Sequence, residues 1–504
     1  MLETFLENNI QNKLQLFFTL LSSDSITTRD LSQTINLSFS SVSTLIDELN
    51  ADLEGLVQIE KNNSVLSFSL HDDSDFFKST HSIYQNSAVL QCLKFLITND
   101  SYRPFSYFID NYFLTKSTAY RIRETCRKYL LTIGLDISHN KVIGEEYRIR
   151  FLIALLYYKY GFDCCGIDAE SINLARTFIL ATNHVINLDF LEQTSNEYGY
   201  FECLLILSWK RINHPVSFSE SSEIHKLKEL FIYQNIKNFS QKTLEPALNI
   251  KFREADYEYL YLAYCSTNSC VLADKWTQAD IEHVHRIVFS HTNFSNLLQC
   301  FEQKFGTGIP SFPALRSALV YFFKKCLLGL QCIIPNEHFY FDSWTDSLTR
   351  KVFHCVKDIL HSWKDQNQIQ YPIDDSHTFY LSLQIKSILH QAIPPVEVIV
   401  VSDLISEVES MKLFLYKNFS TQSITVSSIL VNAQELEALY PKKNCVIVVN
   451  KKFEHFLASL GCAVQNTIVA ITTEINPKDM ESIGLAIFHY EKSAFLQLIS
   501  LRTK

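Results

Sequence analysis

The apolar positions of this chain change rhythm several times, and each change marks a new part. Leu6, Ile10, Leu14, Phe17, Phe18 and Leu21 recur at helical spacing and predict a first helix over Leu2–Leu21. Thr27 or Thr28 then caps a short helix through Asp30, Leu31 and Ile35, and Asn36-Leu37 turns the chain. Ser38 or Ser40 caps a third helix through Val42, Leu45, Ile46 and Leu49. Leu56–Ile59 and Val65–Leu70 alternate about Lys61-Asn62-Asn63, as the strands of a hairpin do. Residues 1–70 therefore read as a winged helix-turn-helix module.

The same order returns in residues 75–162, after the polar joint Asp72-Asp73-Ser74-Asp75. An apolar helix over Ile83–Thr98 would support a helix over Phe105–Tyr112, entered after Pro104. Phe113-Leu114-Thr115 forms the turn, and Thr115 or Ser117 caps a second helix over Lys116–Ile133 that stops at Gly134. Leu135-Asp136-Ile137 and Lys141-Val142-Ile143 alternate around Ser138-His139-Asn140 as a wing. Glu146–Tyr160 is then a long helix with Ile149, Leu152, Ile153, Leu155, Leu156 and Tyr157 inward.

Residues 167–288 and 290–393 read as two helical units of similar organisation. The first has a helix over Tyr200–Ile212, the turn Asn213-His214-Pro215 and a closing helix over Ala255–Cys265. The second has helices over Ala314–Gly329 and His377–Leu389. Between them, Asp274-Lys275-Trp276-Thr277 opens a further helix, with Thr277 as its cap and Asp280 in its first turn. Pro394-Pro395 is a linker, and after it strand and helix alternate. Val396–Val401, Ile424–Val431, Cys445–Val449 and Ile468–Thr472 are strands; Leu404–Phe419 and Pro477–Leu501 are helices, the last open to a kink near Gly484. The expected fold is mainly α and multidomain, with two winged modules, two helical domains and a C-terminal parallel-sheet α/β domain over 394–504.

Composition agrees with helix: only 11 Gly and 11 Pro stand among 504 residues, and 47% are hydrophobic. No apolar run is long enough to span a bilayer, and the acidic, amphipathic MLETFLENNI is no signal peptide, so a soluble cytoplasmic protein is expected. Thirteen scattered Cys without a C-x-x-C read as reduced, mostly buried thiols.

Charge changes the picture locally. The chain carries a net −9, which excludes a polyanion binder acting through its whole surface. Yet Ser101–Arg150 holds nine Lys/Arg (Arg103, Lys116, Arg121, Arg123, Arg127, Lys128, Lys141, Arg148, Arg150) against five Asp/Glu (Asp110, Glu124, Asp136, Glu145, Glu146), a net +4. Tyr120, Ile122, Cys126, Tyr129, Leu130 and Ile133 supply the apolar side of the Lys116–Ile133 helix. Lys116, Ser117, Thr118, Tyr120, Arg121, Arg123, Arg127 and Lys128 are the candidate DNA-binding residues, cations for phosphates and the first turns for base edges. The competing reading is a solvated face on a helical hairpin. In the first module the third helix has no Lys or Arg, and residues 1–100 hold five basic against thirteen acidic residues. That module is either an accessory contact through Ser38–Ser43 or a packing element.

KSTAYRIRETCRKYL, GLDIS and IGEEYRIRFLIALLYY (within Lys116–Tyr158) resemble the helix-turn-helix of the Mga/AtxA family of Gram-positive virulence regulators. LLILSWKRINHPVSF (Leu204–Phe218) and DKWT (Asp274–Thr277) are similar to that family's first regulatory domain. The resemblance implies a transcriptional regulator that binds double-stranded promoter DNA. It also implies that 167–288 and 290–393 are regulatory domains (PRD-like) of the sugar phosphotransferase system (PTS), phosphorylated on His by its phosphocarrier protein. Residues 394–504 would be an EIIB-like domain through which the chain forms a homodimer.

The His positions depart from the family pattern. Trp209 and Cys265 stand near the expected places in the first unit, and Phe323-Lys324 and Gln384 in the second. The nearest phosphorylation candidates are His214 and His377, each of which reads more readily as a locally bonded turn or cap residue. His283 with His285, and His354 with His361, lack the spacing or the third ligand of a metal site, so no metal or cofactor is expected. Working phosphocarriers of the EIIB type place a nucleophilic Cys after the first strand; here that strand runs into Ser402-Asp403-Leu404. The chain is therefore expected not to be an enzyme. A phosphocarrier protein and an RNA antiterminator are the alternatives, the latter lacking its small β-rich RNA-binding domain here.

Overall fold

The computed structural model describes the chain except for residues 1, 24, 63, 71–75, 183–194, 219–227, 229–230, 268–276, 306–312, 327–328, 336–346, 392, 432–438, 440–441, 460–465, 473–475 and 503–504. The polar joint at Asp72–Asp75 and the residues Asp274, Lys275 and Trp276 fall outside the described set. The fold is mainly helical and multidomain, closed by a small parallel sheet, as the pattern predicts.

The first module comprises α1 (Asn8–Leu21), β1 (Ser25–Thr27), α2 (Thr28–Ile35), α3 (Phe39–Asp52), β2 (Val57–Asn62) and β3 (Val65–Leu70). Thr27 and Ser38 cap α2 and α3, their hydroxyls accepting from the backbone N–H of Asp30 and Ser41. The wing has a third strand that alternation did not reveal, β1, in the antiparallel order β1-β3-β2. The predicted helix over Leu2–Leu21 is broken. Leu2–Phe5 is a 3-10 turn and Glu7 is extended (φ −60°, ψ 140°) before α1 begins. Glu7 leaves the helix because its carboxylate accepts from Ser87 Oγ (2.7 Å) and the Val89 N–H (3.0 Å).

Those two bonds also explain a second correction. Ile83–Thr98 is not one helix but the end of α4 (Phe76–Gln85) followed by α5 (Ala88–Thr98), with Ser87 capping α5. A carboxylate set on the exposed N–H groups of a new helix stabilises the break against continuing the apolar run. The second module continues with α6 (Phe105–Asn111), α7 (Lys116–Thr132), the antiparallel hairpin β4 (Leu135–Ser138) and β5 (Lys141–Gly144), and α8 (Glu146–Tyr160). Tyr147 through Leu156 of α8 are all buried, so this helix lies inside the core that both modules share.

Further helices follow: α9 (Ala169–Thr182), α10 (Ser195–Lys210), α11 (Phe231–Phe239), α12 (Glu245–Leu248), α13 (Glu254–Ser266), α14 (Gln278–Phe289), α15 (Thr292–Phe305), α16 (Pro313–Cys326), α17 (Ser347–Gln366) and α18 (Asp375–Gln391). Thr277 caps α14 in a reciprocal box with Asp280. The C-terminal part has β6 (Val396–Ser402), α19 (Ile405–Asn418), β7 (Ile424–Leu430), β8 (Val446–Asn450), α20 (Glu454–Ser459), β9 (Thr467–Ile471) and α21 (Pro477–Arg502). Its sheet is parallel, ordered β7-β6-β8-β9. Both faces of β6 are covered, which is why the strand is a continuous β-branched run. Val396, Val398 and Val400 pack with Met411 and Ile483, while Ile399 and Val401 pack with Leu457.

The chain divides into two compact units, one of Met1–Leu298, Leu319–Asp346 and Leu360–Leu381, the other of Gln299–Ala318, Ser347–Ile359 and Ser382–Lys504. Among the described residues, no helix is long and apolar enough to cross a membrane.

Candidate nucleic-acid interface

The second module presents α7 through its caps. Thr115 is extended, and its hydroxyl accepts from the Thr118 N–H at 3.3 Å. The hydroxyls of Ser117 and Thr118 lie 3.2 and 2.9 Å from it, so three hydroxyls gather at the start of the helix. Ala119, Ile122, Cys126, Tyr129 and Leu130 form the buried side, and the Cys126 thiol donates to the Val89 carbonyl of α5. Burial and the neighbouring Cys92 push that thiol's pKa well up, so it stays protonated and acts as packing.

The opposite side is open. Lys116, Ser117, Arg121, Arg127 and Lys128 are exposed, with Glu124 the one acid among them. Thr118 and Arg123 are half-buried. Arg123 lies over the Phe105 ring (5.9 Å), and its Nε is buried without a hydrogen-bond partner among the described residues. Arg127 is not free for a phosphate: Nε and Nη2 donate to the Asp136 carboxylate of β4 at 2.9 and 3.4 Å. That guanidinium holds the Asp136 carboxyl below the usual carboxylate range. Tyr120 belongs with the open side, not the apolar one. It is 55% exposed and touches only the edge of the core through Phe105, while Ala119 takes the buried place.

Two of the nine cations are not on the surface at all. Arg148 and Arg150 contribute to the positive charge of Ser101–Arg150, but both are fully buried in α8. Arg148 donates to Glu145 (2.9 Å), to the carbonyls of Ile133 (3.1 Å) and Gly329 (3.2 Å), and to Tyr371 Oη (2.8 Å), with the Tyr371 ring 4.6 Å away. A side chain on Gly329 would strike Tyr371, and one on Gly134 (φ +76°) would press on Arg148 itself. Arg150 donates to Glu146 (3.1 Å) and to the carbonyls of Arg211 and His214 (both 3.0 Å), over the Tyr259 ring. Arg211 adds two bonds to the same Glu146. Carbonyls from distant parts of the chain accept from both guanidinium groups, which offsets the cost of charge in the core, while Arg150 Nη1 is buried without a partner among the described residues.

The wing is fixed at its tip. Asn99, buried after α5, donates to the carbonyls of Arg103 and Asn140 (both 3.0 Å). Lys141 pairs with Asp100 at 2.6 Å and lies over the Tyr102 ring. His139 and Asn140 are both left-handed, the turn that suits a two-residue hairpin. Arg103, exposed and stacked on Tyr107, joins this rim. Lys141 and Arg103 are not among the candidates of the sequence reading; the Asn99 turn that ties Arg103 to the wing tip is not announced by spacing.

The first module differs in charge. Lys13 of α1 is buried and pairs with Glu48 (3.0 Å) and Asp52 (2.8 Å) of α3, and Asn9 also donates to Glu48. Only Phe39, Ser40, Ser41 and Thr44 offer an uncharged, exposed start to α3.

Of the His candidates, His214 is half-buried in the turn after α10, its N–H donating to the Arg211 carbonyl (2.9 Å). His377 is buried at the start of α18 with Nε2 3.1 Å from the Ile334 carbonyl. Burial and Lys325 push its pKa down to about 3, so the ring is neutral. After β6, Ser402 Oγ donates to Glu407 (2.6 Å) and accepts from the Leu404 N–H.

Residues 73–157 match the family model of the Mga helix-turn-helix domain. No curated protein matches the chain. The matched span is the second winged module as far as Tyr157 of α8, including α7 and both wing strands. The match supports reading the chain as a DNA-binding transcriptional regulator, one that carries over this span a helix-turn-helix domain similar to that of the Mga regulators.

Proposed function

We propose that the chain is a DNA-binding transcriptional regulator that reads duplex DNA with α7 of its second winged module. One observation carries this: within the matched domain, α7 buries its apolar side on α5 and turns Lys116, Ser117, Arg121 and Lys128 outward from a hydroxyl-rich first turn. Hydroxyls and an arginine at a helix start suit base edges, and the cations beyond suit phosphates. Tyr120 and the half-buried Thr118 and Arg123 border that surface, and Arg127 shapes it by holding the wing. Footprinting on genomic fragments, followed by gel shifts with Arg121→Ala, tests the reading. Affinity unchanged in that variant at every salt concentration sinks it.

The chain binds DNA as a homodimer through its C-terminal domain. In support, α19 and α21 share one side of the sheet through Met411, Leu415, Ile483 and Ile487, and expose Leu413, Tyr416, Leu485 and Phe488 outward. Glu409 with Lys412 on α19 and Glu481 with Lys492 on α21 border these apolar groups, a charge pattern that suits a self-complementary contact. Sedimentation of Phe488→Asp as a monomer, with wild type as a dimer, is the expected result.

Phosphorylation by the PTS phosphocarrier protein tunes the regulator, with His214 a better acceptor than the buried, already bonded His377. The new negative charge would stand beside the carbonyls that hold Arg150. Incubation with the phosphocarrier, its enzyme and phosphoenolpyruvate should label wild type and not His214→Ala. Label passing onward to sugar would instead make the chain an enzyme, which the Ser402-Asp403 loop argues against.

A further inference from the structure

The turn that delivers α7 carries a residue the fold does not need. Phe113 is 96% exposed and takes a left-handed conformation (φ 50°), which an L side chain other than Gly, Asn or Asp rarely adopts without strain. Its aromatic neighbours pack among themselves: Phe105 on Phe108, Phe108 on Tyr112, Tyr120 on Phe105. Among the described residues Phe113 has no such ring contact.

The first module shows what the turn itself requires. There Asn36 is left-handed (φ 54°), Leu37 follows half-buried with its N–H on the Ser32 carbonyl (3.1 Å), and Ser38 caps the next helix. In the second module Phe113 is left-handed, Leu114 follows half-buried with its N–H on the Ile109 carbonyl (3.1 Å), and Thr115 caps. The geometry is the same residue for residue. Asn is at home in it; Phe is strained in it and leaves its ring in water.

Phe113 stands two residues before the cap of α7, at a helix start whose exposed rim carries Lys116, Ser117 and Arg121. A polyanion is the partner this rim suits. An apolar group carried into the major groove by the start of a reading helix meets the C5-methyl of thymine. Resting on the proposed DNA reading, we infer that Phe113 is a specificity-determining residue that packs on a thymine methyl in the major groove.

The test uses the full chain and a duplex taken from its own footprint. Phe113→Asn copies the first module's turn, so the variant should fold with an unchanged or higher thermal midpoint. It should bind the duplex roughly tenfold more weakly. The slope of log affinity against log salt should stay as in wild type, because no phosphate contact is lost. Replacing the thymines of the site by uracil should weaken wild type by a similar factor and leave Phe113→Asn nearly unaffected. Full affinity in Phe113→Asn alongside lost affinity in Arg121→Ala overturns the inference and leaves the DNA reading standing. Full affinity in both variants removes the DNA reading itself. A wild type indifferent to uracil, or a Phe113→Asn that loses dimerisation, also overturns the inference, since the ring would then face sugar or protein.

Discussion

The two winged modules share a turn, a cap and a hairpin, and they differ in where charge lies. In the first, the buried ammonium of Lys13 is spent on Glu48 and Asp52, so the reading helix α3 faces outward without a cation of its own. In the second, acids do the internal stitching: Asp136 holds Arg127, Asp100 holds Lys141, and Glu145 and Glu146 hold Arg148 and Arg150. Lys116, Arg121 and Lys128 stay available on the outside. A shared scaffold thus supplies shape, while pairing inside it decides which copy can approach a polyanion. The family match covers the second copy only.

The largest break in this comparison should come from the buried arginines. Arg150→Ala leaves Glu146 with Arg211 alone and removes the Arg150 donor from two carbonyls, and about 3–5 kcal/mol should be lost in chemical denaturation. Lys13→Met in the first module should lose about 1 kcal/mol or less, because Glu48 and Asp52 can turn to water. Equal losses would mean that both modules depend on buried charge alike. Next in size, Arg121→Ala should cost about 1–3 kcal/mol of DNA affinity in a gel shift. Asp47→Lys on the exposed side of α3 should leave affinity and salt slope unchanged, and a steeper slope would show the first module lying on DNA as well.

The smallest effect lies at the wing. Lys141 holds the Asp100 carboxyl below its ordinary value. A depressed carboxylate contributes stability that is complete above the unfolded value, near pH 4, and is lost as pH falls through the folded one. Asp100 is largely exposed, so the pair should be worth a few tenths of a kcal/mol. An NMR titration should place the Asp100 carboxyl below the ordinary aspartate value; a midpoint at that value would show the wing untethered.

Local signals were readable where the cause is local. Thr27, Ser38, Thr115 and Thr277 cap as their sequence neighbours predict, and Gly134 ends α7's turn with positive φ. The unbroken apolar run of the C-terminal strands gave the parallel sheet. The two breaks that were missed, before α1 and before α5, come from one carboxylate, Glu7, reaching residues 80 and 82 positions away. Burial of Arg148 and Arg150 was illegible for the same reason, because their acceptors lie up to 223 residues off and charge read alone suggests water. Tyr120 lies outside and its neighbour Ala119 inside, so aromatic character alone points to the wrong side of the helix.

Similarity to a known domain stops at Tyr157, but the folded structure cannot be cut there. A fragment ending at Tyr160 would keep α7 and its wing, yet lose Arg211 and His214, Gly329 and Tyr371, and with them the cover over α8. The inherited module and the folding module are different lengths of chain, and a stable DNA-binding truncation has to reach past Tyr371.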